Sequence, residues 1–304
     1  MKSDMRDTLL GILFVNIATI SWATNITIGR YLRADIGPVT LTAARYVVAA
    51  IFFSFLLPRV APGERRPGKD LLPLAAMALA GIVFFAPLLY LGLRFTTAVN
   101  GTLINGMGPL LTALFAAWLI KEPYTGRQLM GAVFAVIGVV VLITGGSLRT
   151  LREAGVNPGD LVVLTAAAVW GLQSVSSRRA TRNRSPLSAT ILSLYMGLPL
   201  LIVAAIVEQQ FLPATFSLRL LAIIIYLGVV PAGIGYFLWN TGIKKLGAGG
   251  AMVFYNMLPF YGAILGILVL GEQVGPAHLV GGALIITGGI ISALSRRRKR
   301  VQRS

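Results

Sequence analysis

Apolar residues run along this chain in blocks of about 17 to 25 positions, the length a helix rising 1.5 Å per residue needs to cross a hydrocarbon layer of about 30 Å. Ten such blocks are read, at roughly 9–29, 38–57, 71–93, 96–119, 126–145, 159–177, 186–207, 218–240, 247–270 and 275–294. Each predicts a transmembrane helix. The polar connectors reach about 15 residues at most, too short for a soluble domain. No small-residue cleavage site follows the first block, so it is expected to stay as a helix. The expected fold class is an all-α membrane protein of ten transmembrane helices.

Composition supports this reading, with 56% hydrophobic and 12% charged residues among 304 and a mean hydropathy of +0.79. A net charge of +17 would suggest a nucleic-acid partner in a soluble protein, but its distribution points elsewhere. With the N-terminus inside, twenty of the 27 Lys and Arg fall in inside segments and six in outside ones, leaving Arg45 within a helix. Both termini are therefore expected in the cytoplasm. The tail SRRRKR is expected to rest on anionic lipid headgroups, so the partner is the lipid bilayer and no nucleic acid is expected. Without cysteine, disulfides and thiolate sites are excluded.

The pattern also repeats. Gly11, Trp22, Arg30, Pro38 and Thr42 match Gly159, Trp170, Arg178, Pro186 and Thr190 at a spacing of 148. Gly92, Ala98, Pro109, Glu122, Gly131 and Gly138 match Gly242, Ala248, Pro259, Glu272, Gly281 and Gly288 at 150. The chain thus reads as a first repeat, 1–150, and a second, 151–304, each with five spans. Five is odd, so the second copy enters the membrane from the opposite side. Inverted repeats are the basis of alternating access in secondary transporters.

The motif Glu122, Gln128, Gly131, Gly138, recurring as Glu272, His278, Gly281, Gly288, together with a tryptophan-bearing first helix in each half, resembles the drug/metabolite transporter superfamily. The likeness is to its ten-helix EamA-type branch, above all the YddG-like bacterial amino-acid exporters, and covers almost the whole chain. It implies export of a small molecule, an amino acid, across the bacterial inner membrane by a multi-pass protein.

Candidate chemistry refines the picture. All ten acidic residues fall in connectors or at helix ends. No coupling carboxylate is thus expected mid-membrane, which favours facilitated diffusion or exchange over proton-driven export of cationic drugs. Glu122 and Glu272 read as capping or topology residues. The single histidine, His278, has no metal-ligand company, so no metal or cofactor is expected and His278 reads as structural. Arg45 lies inside the second span without an acidic neighbour in its layer. It either snorkels or faces a watery cavity where it could meet a substrate carboxylate, although its repeat partner is Ser193.

Pro109 and Pro259 predict helix kinks that release the carbonyls of Asn105 and Tyr255, with Asn256 and Gly108 nearby. Those kinks either relax against neighbouring helices or turn backbone toward a cavity, where water or an ammonium would satisfy it. Gly131, Gly138, Gly281 and Gly288 predict close helix packing. Trp118 and Trp239, near span ends, suit an interface belt. Trp170 stands about 17 Å along its span, near mid-membrane, where its indole N–H needs an acceptor. With Trp22, Tyr90, Tyr236, Trp239 and Tyr255 it forms a candidate aromatic lining. Asn16, Thr19, Asn240, Gln173 and Ser174 would add neutral polar groups.

Such a cavity suits a zwitterion with an aromatic or large apolar side chain. The expected function is a secondary amino-acid exporter, a monomer or homodimer; the alternative is a proton-coupled exporter of other small metabolites or drugs. Enzyme chemistry lacks a nucleophile and base pair. A channel is disfavoured by the inverted repeat.

Overall fold

A computed structural model describes residues 2–121, 125–147, 157–215 and 217–301. Glu122, Arg149, Arg152, Glu153 and Arg303 lie outside the described residues, as do the side chains of the basic tail. Among the described residues every regular element is helical. The first half holds α1 (Lys2–Tyr31), α2 (Pro38–Ser54), α3 (Leu71–Ala78), a π segment (Leu79–Phe85), α4 (Ala86–Phe95), α5 (Ala98–Asn105), α6 (Gly108–Ile120) and α7 (Gly126–Ile143). The second holds α8 (Pro158–Ala180), α9 (Pro186–Phe211), α10 (Leu218–Val229), a π segment (Val230–Ile234), α11 (Gly235–Tyr255), α12 (Leu258–Leu270) and α13 (Pro276–Val301). By length and composition, seven helical stretches can cross a membrane, and Pro38–Ser54, Leu258–Leu270 and Pro276–Ile291 are shorter apolar helices.

These helices are apolar on the outside. On α1, Leu9, Leu13, Ile17 and Ile20 are exposed while Thr19, Ser21, Asn25 and Thr27 are buried, the reverse of a water-soluble helix. The buried hydroxyls of Thr19 and Thr27 return hydrogen bonds to the carbonyls of Val15 and Ala23 one turn back, so burial leaves them satisfied.

The halves interlock. α1 packs on α11 and α12, whereas its repeat partner α8 packs on α4, α5 and α6; α2 packs on α9, and α7 on α13. In these last two pairs the equivalent helices run antiparallel. An added Cβ on Gly138 would stand 2.6 Å from Gly281 O, and one on Gly288 would stand 2.4 Å from Gly131 O. Only glycine allows α7 and α13 to meet so closely, which is how dispersion holds helices together where lipid is as apolar as leucine. Along α2 and α9, the Glu208 carboxylate at the end of α9 accepts from the backbone N–H groups of Val39 and Thr40 at the start of α2. Reciprocally, Glu64, in the connector between α2 and α3, accepts from the backbone N–H and hydroxyl of Ser185 at the start of α9. Carboxylates from one half thus cap helix N-termini in the other, where the backbone carries unpaired donors and a positive dipole.

Glu272 fits the same scheme: it accepts from Ala98 and Val99 N–H at the start of α5, with Arg30 Nε 3.9 Å away. His278 and Gln128 share a role as well. Each reaches back three residues to accept a backbone N–H, from Gly275 and Thr125 respectively.

The prolines behave differently from a simple kink. Gly106–Met107 and Asn256–Met257 interrupt the helix outright, and Pro109 and Pro259 sit in the first turn of α6 and α12. There a missing N–H costs no helical bond. The blocks expected at 218–240 and 247–270 are also not separated by a connector, because α11 continues from Gly235 to Tyr255.

Candidate functional site

The interlocked halves leave a cavity of about 130 Å³ between them. It lies where both π segments and the α5–α6 break meet α1, α2, α8 and α9. The π segments have a local cause. Pro87 and Pro231 cannot return the i−4 hydrogen bond, and Gly81, Gly233 and Gly235 offer little resistance to a widened turn.

In the second half the loosened backbone supplies an acceptor: Pro231 O accepts the Trp22 indole N–H at 3.1 Å. In the first half it makes room, since a Cβ on Gly81 would stand 2.6 Å from Gln173 Cγ.

The lining comes in repeat-related pairs. Trp22 and Trp170, Asn25 and Gln173, and Arg45 and Ser193 stand 148 apart, and Asn105 and Tyr255 stand 150 apart; all eight border the cavity. Phe85 packs on Trp170 with ring centroids 4.8 Å apart, and Tyr236 completes the aromatic wall. Among the described residues that border the cavity, Arg45 is the only charged one.

Arg45 does not snorkel: it is 5% exposed. Its Nη1 donates to Asn25 Oδ1 at 3.1 Å, and the same oxygen accepts the Tyr90 hydroxyl at 2.6 Å. The guanidinium carbon lies 4.4 Å from the Tyr46 ring centroid and 5.3 Å from that of Tyr90, within cation–π range. No ion pair joins it to a carboxylate among the described residues.

Several expected lining residues stand behind the wall. Tyr90 is buried under Arg45, and Ser174 returns its hydroxyl to Trp170 O. Trp239, expected in an interface belt, instead packs 5.2 Å from Trp22 and 5.8 Å from Tyr255. Asn240 donates to Tyr236 O, and Asn256 is pressed against Gly289 of α13. Asn16 accepts from the Tyr261 hydroxyl. Trp118 is 72% exposed, as a lipid-belt residue would be.

Asn25, Tyr46 and Phe85 border the cavity without having been singled out in the sequence. Asn25 carried a signal: it is one helical turn after Trp22 and 148 before Gln173. Among the described residues no group of three or more His, Asp or Glu side chains comes together to hold a metal.

Comparison with known proteins bears on the chain as a whole. The profile of the EamA-like transporter family matches twice, over residues 9–144 and 157–294. An uncharacterized transporter, YyaM, of Bacillus subtilis is 29% identical over 93% of both chains. A probable terminal-alkyne amino-acid exporter of Streptantibioticus cattleyicolor is 27% identical, over 93% of this chain and 94% of its own. A solved crystal structure superposes with a TM-score of 0.61 at 23% identity, covering 98% of this chain and 99% of that one. That last likeness concerns the fold alone.

Proposed function

We propose, for a chain that belongs to the EamA-like transporter family, that it exports amino acids with aromatic or large apolar side chains across a bacterial inner membrane. In this reading it has ten crossings in two inverted repeats, 1–150 and 151–304, with both termini cytoplasmic. The double family match and the antiparallel pairing of α2 with α9 and α7 with α13 support the inversion. Alternating access follows: the two halves exchange packing roles, and the central cavity faces each side in turn.

The observation that carries the substrate reading is the lining. Trp22, Trp170, Phe85 and Tyr236 give apolar faces, while Asn25, Asn105, Gln173 and Ser193 give neutral hydrogen-bonding groups. A probable amino-acid exporter among the relatives agrees with it. The acidic side chains described at helix N-termini are engaged in capping, which favours facilitated diffusion or exchange over proton coupling.

Counterflow in proteoliposomes tests the reading. Phenylalanine, tryptophan or methionine trapped inside is expected to drive saturable uptake of the labelled amino acid at zero pH gradient. Uptake of cationic drugs that needs a proton gradient, with no amino-acid counterflow, would instead establish a proton-coupled drug exporter.

A further inference from the structure

Two groups in the cavity wall are out of balance, and they are opposite in kind. Arg45 brings a positive charge. It is buried, its Nε has no hydrogen-bond partner, and no carboxylate of the described residues pairs with it. Asn105, which borders the same cavity, has a buried Oδ1 acceptor that has no partner either.

An unpaired charge away from water is among the most expensive arrangements a fold can hold, and it persists where something binds to it. Its structural contacts leave the charge without a counter-ion. It does not reach the surface, it bridges no acid among the described residues, and it is held by a neutral oxygen of Asn25 and by the rings of Tyr46 and Tyr90.

We propose that Arg45 is the anchor for the carboxylate of the transported solute, and that a free carboxylate, more than the ammonium, decides what is carried. This rests on reading the central cavity as the transport site. A planar guanidinium with unused donors matches the two oxygens of a carboxylate as a fork, whereas a lone ammonium would meet repulsion from it. Asn25 and Tyr90 are positioning residues. The Asn25 oxygen holds Nη1, and the Tyr90 hydroxyl holds Asn25, so the guanidinium keeps its orientation beneath the Tyr46 ring.

The ammonium of an amino acid meets neutral polar side chains and aromatic faces, but no acid among the described lining residues, so it is tolerated rather than required. One guanidinium balances one carboxylate. Phosphate esters, carrying about two charges, would be left overcharged in a wall that offers no second cation among the described residues.

The test uses the purified full-length protein in proteoliposomes exchanging labelled phenylalanine. Competitors remove one end of the zwitterion at a time: 3-phenylpropionate keeps the carboxylate, whereas phenethylamine and phenylalaninamide keep the amine. The expected result is competition by 3-phenylpropionate within about tenfold of phenylalanine, with the two amines weaker by at least roughly 30-fold, the scale of leaving a buried charge unpaired. Arg45→Gln is expected to erase that preference, and Arg45→Lys to keep part of it.

Equal competition by phenylalaninamide and phenylalanine in the wild type overturns the anchor while leaving amino-acid export standing. The converse failure is separable by binding, because Trp22 and Trp170 border the cavity and report its occupancy by fluorescence. If the wild type exchanges no amino acid, quenching by 3-phenylpropionate that Arg45→Gln abolishes still supports the anchor. Quenching unaffected by Arg45→Gln overturns it. The wild-type competitor panel needs no variant to fold.

Discussion

The first and second halves put equivalent residues on the cavity wall, yet those residues are held very differently. Trp22 is tied down: its indole N–H donates to Pro231 O, and its ring packs between Trp239 and Tyr255 at 5.2 and 5.9 Å. Trp170 has one ring contact, Phe85, at 4.8 Å. Arg45 reaches into an organised niche of Asn25, Tyr46 and Tyr90, while its counterpart Ser193 returns its hydroxyl to Thr190 O on its own helix. The duplication supplies a frame with two comparable packings. The asymmetry supplies a direction within it, which a solute with a polar head and an apolar tail requires, since such a solute has no two-fold axis of its own.

The largest expected effect is on the tied side. Trp22→Ala removes an indole packed against two rings and strands its acceptor, and truncations of this size in packed interiors cost about 3–5 kcal/mol. Its thermal unfolding in detergent should fall well below that of Trp170→Ala. Equal shifts would show that the two tryptophans are structurally equivalent after all.

Exchanging the charged position comes next. In Arg45→Ser combined with Ser193→Arg the guanidinium moves to the symmetry-related site, where Gln173, Leu194 and Asn240 stand in place of Asn25, Tyr46 and Tyr90. No aromatic sandwich is there to orient it. Counterflow is expected to stay at least roughly 30-fold below wild type, the scale of a mispaired buried charge; recovery toward wild type would mean that the niche is dispensable.

Trp170→Ala should be milder in stability and visible in transport. An aromatic contact adds about 0.5–1.5 kcal/mol beyond its burial, so exchange of phenylalanine is expected to weaken by up to about tenfold while the protein stays monodisperse. Unchanged exchange would assign Trp170 to packing.

The fold was more legible than the wall, for physical reasons. Hydrocarbon imposes span length on the chain, and a duplication leaves paired residues at fixed spacing, so the helices and the pairs Trp22–Trp170 and Pro109–Pro259 stand out in one dimension. The wall depends on register. Within Leu79–Phe85 and Val230–Ile234 the turns widen, and residues beyond them rotate away from where a 3.6-residue period would place them. Just past these segments Leu89 and Tyr236 border the cavity, whereas Tyr90 and Asn240 stand behind the lining. Phe85 ends such a segment and moves onto the lining. Asn25 is a different case: it carries a signal only in relation to other residues, one turn after Trp22 and 148 before Gln173.

The smallest expected effect divides the two halves most finely. Tyr90→Phe keeps the ring beneath Arg45 and removes only the hydroxyl that donates to Asn25 Oδ1. A neutral hydrogen bond contributes about 1 kcal/mol, so the half-saturating phenylalanine concentration should rise about fivefold, with the maximal exchange rate little changed. The equivalent residue of the second half, Asn240, spends its hydrogen bonding on Tyr236, one turn back on its own helix, and does not reach Ser193, so Asn240→Ala should leave that concentration within experimental scatter. A rise in both variants would mean that the second half also carries an orienting network, and that the solute is gripped symmetrically; a rise in Tyr90→Phe alone assigns the polar grip to the first half and leaves the second as an apolar counter-wall that can slide past the solute as the cavity changes sides.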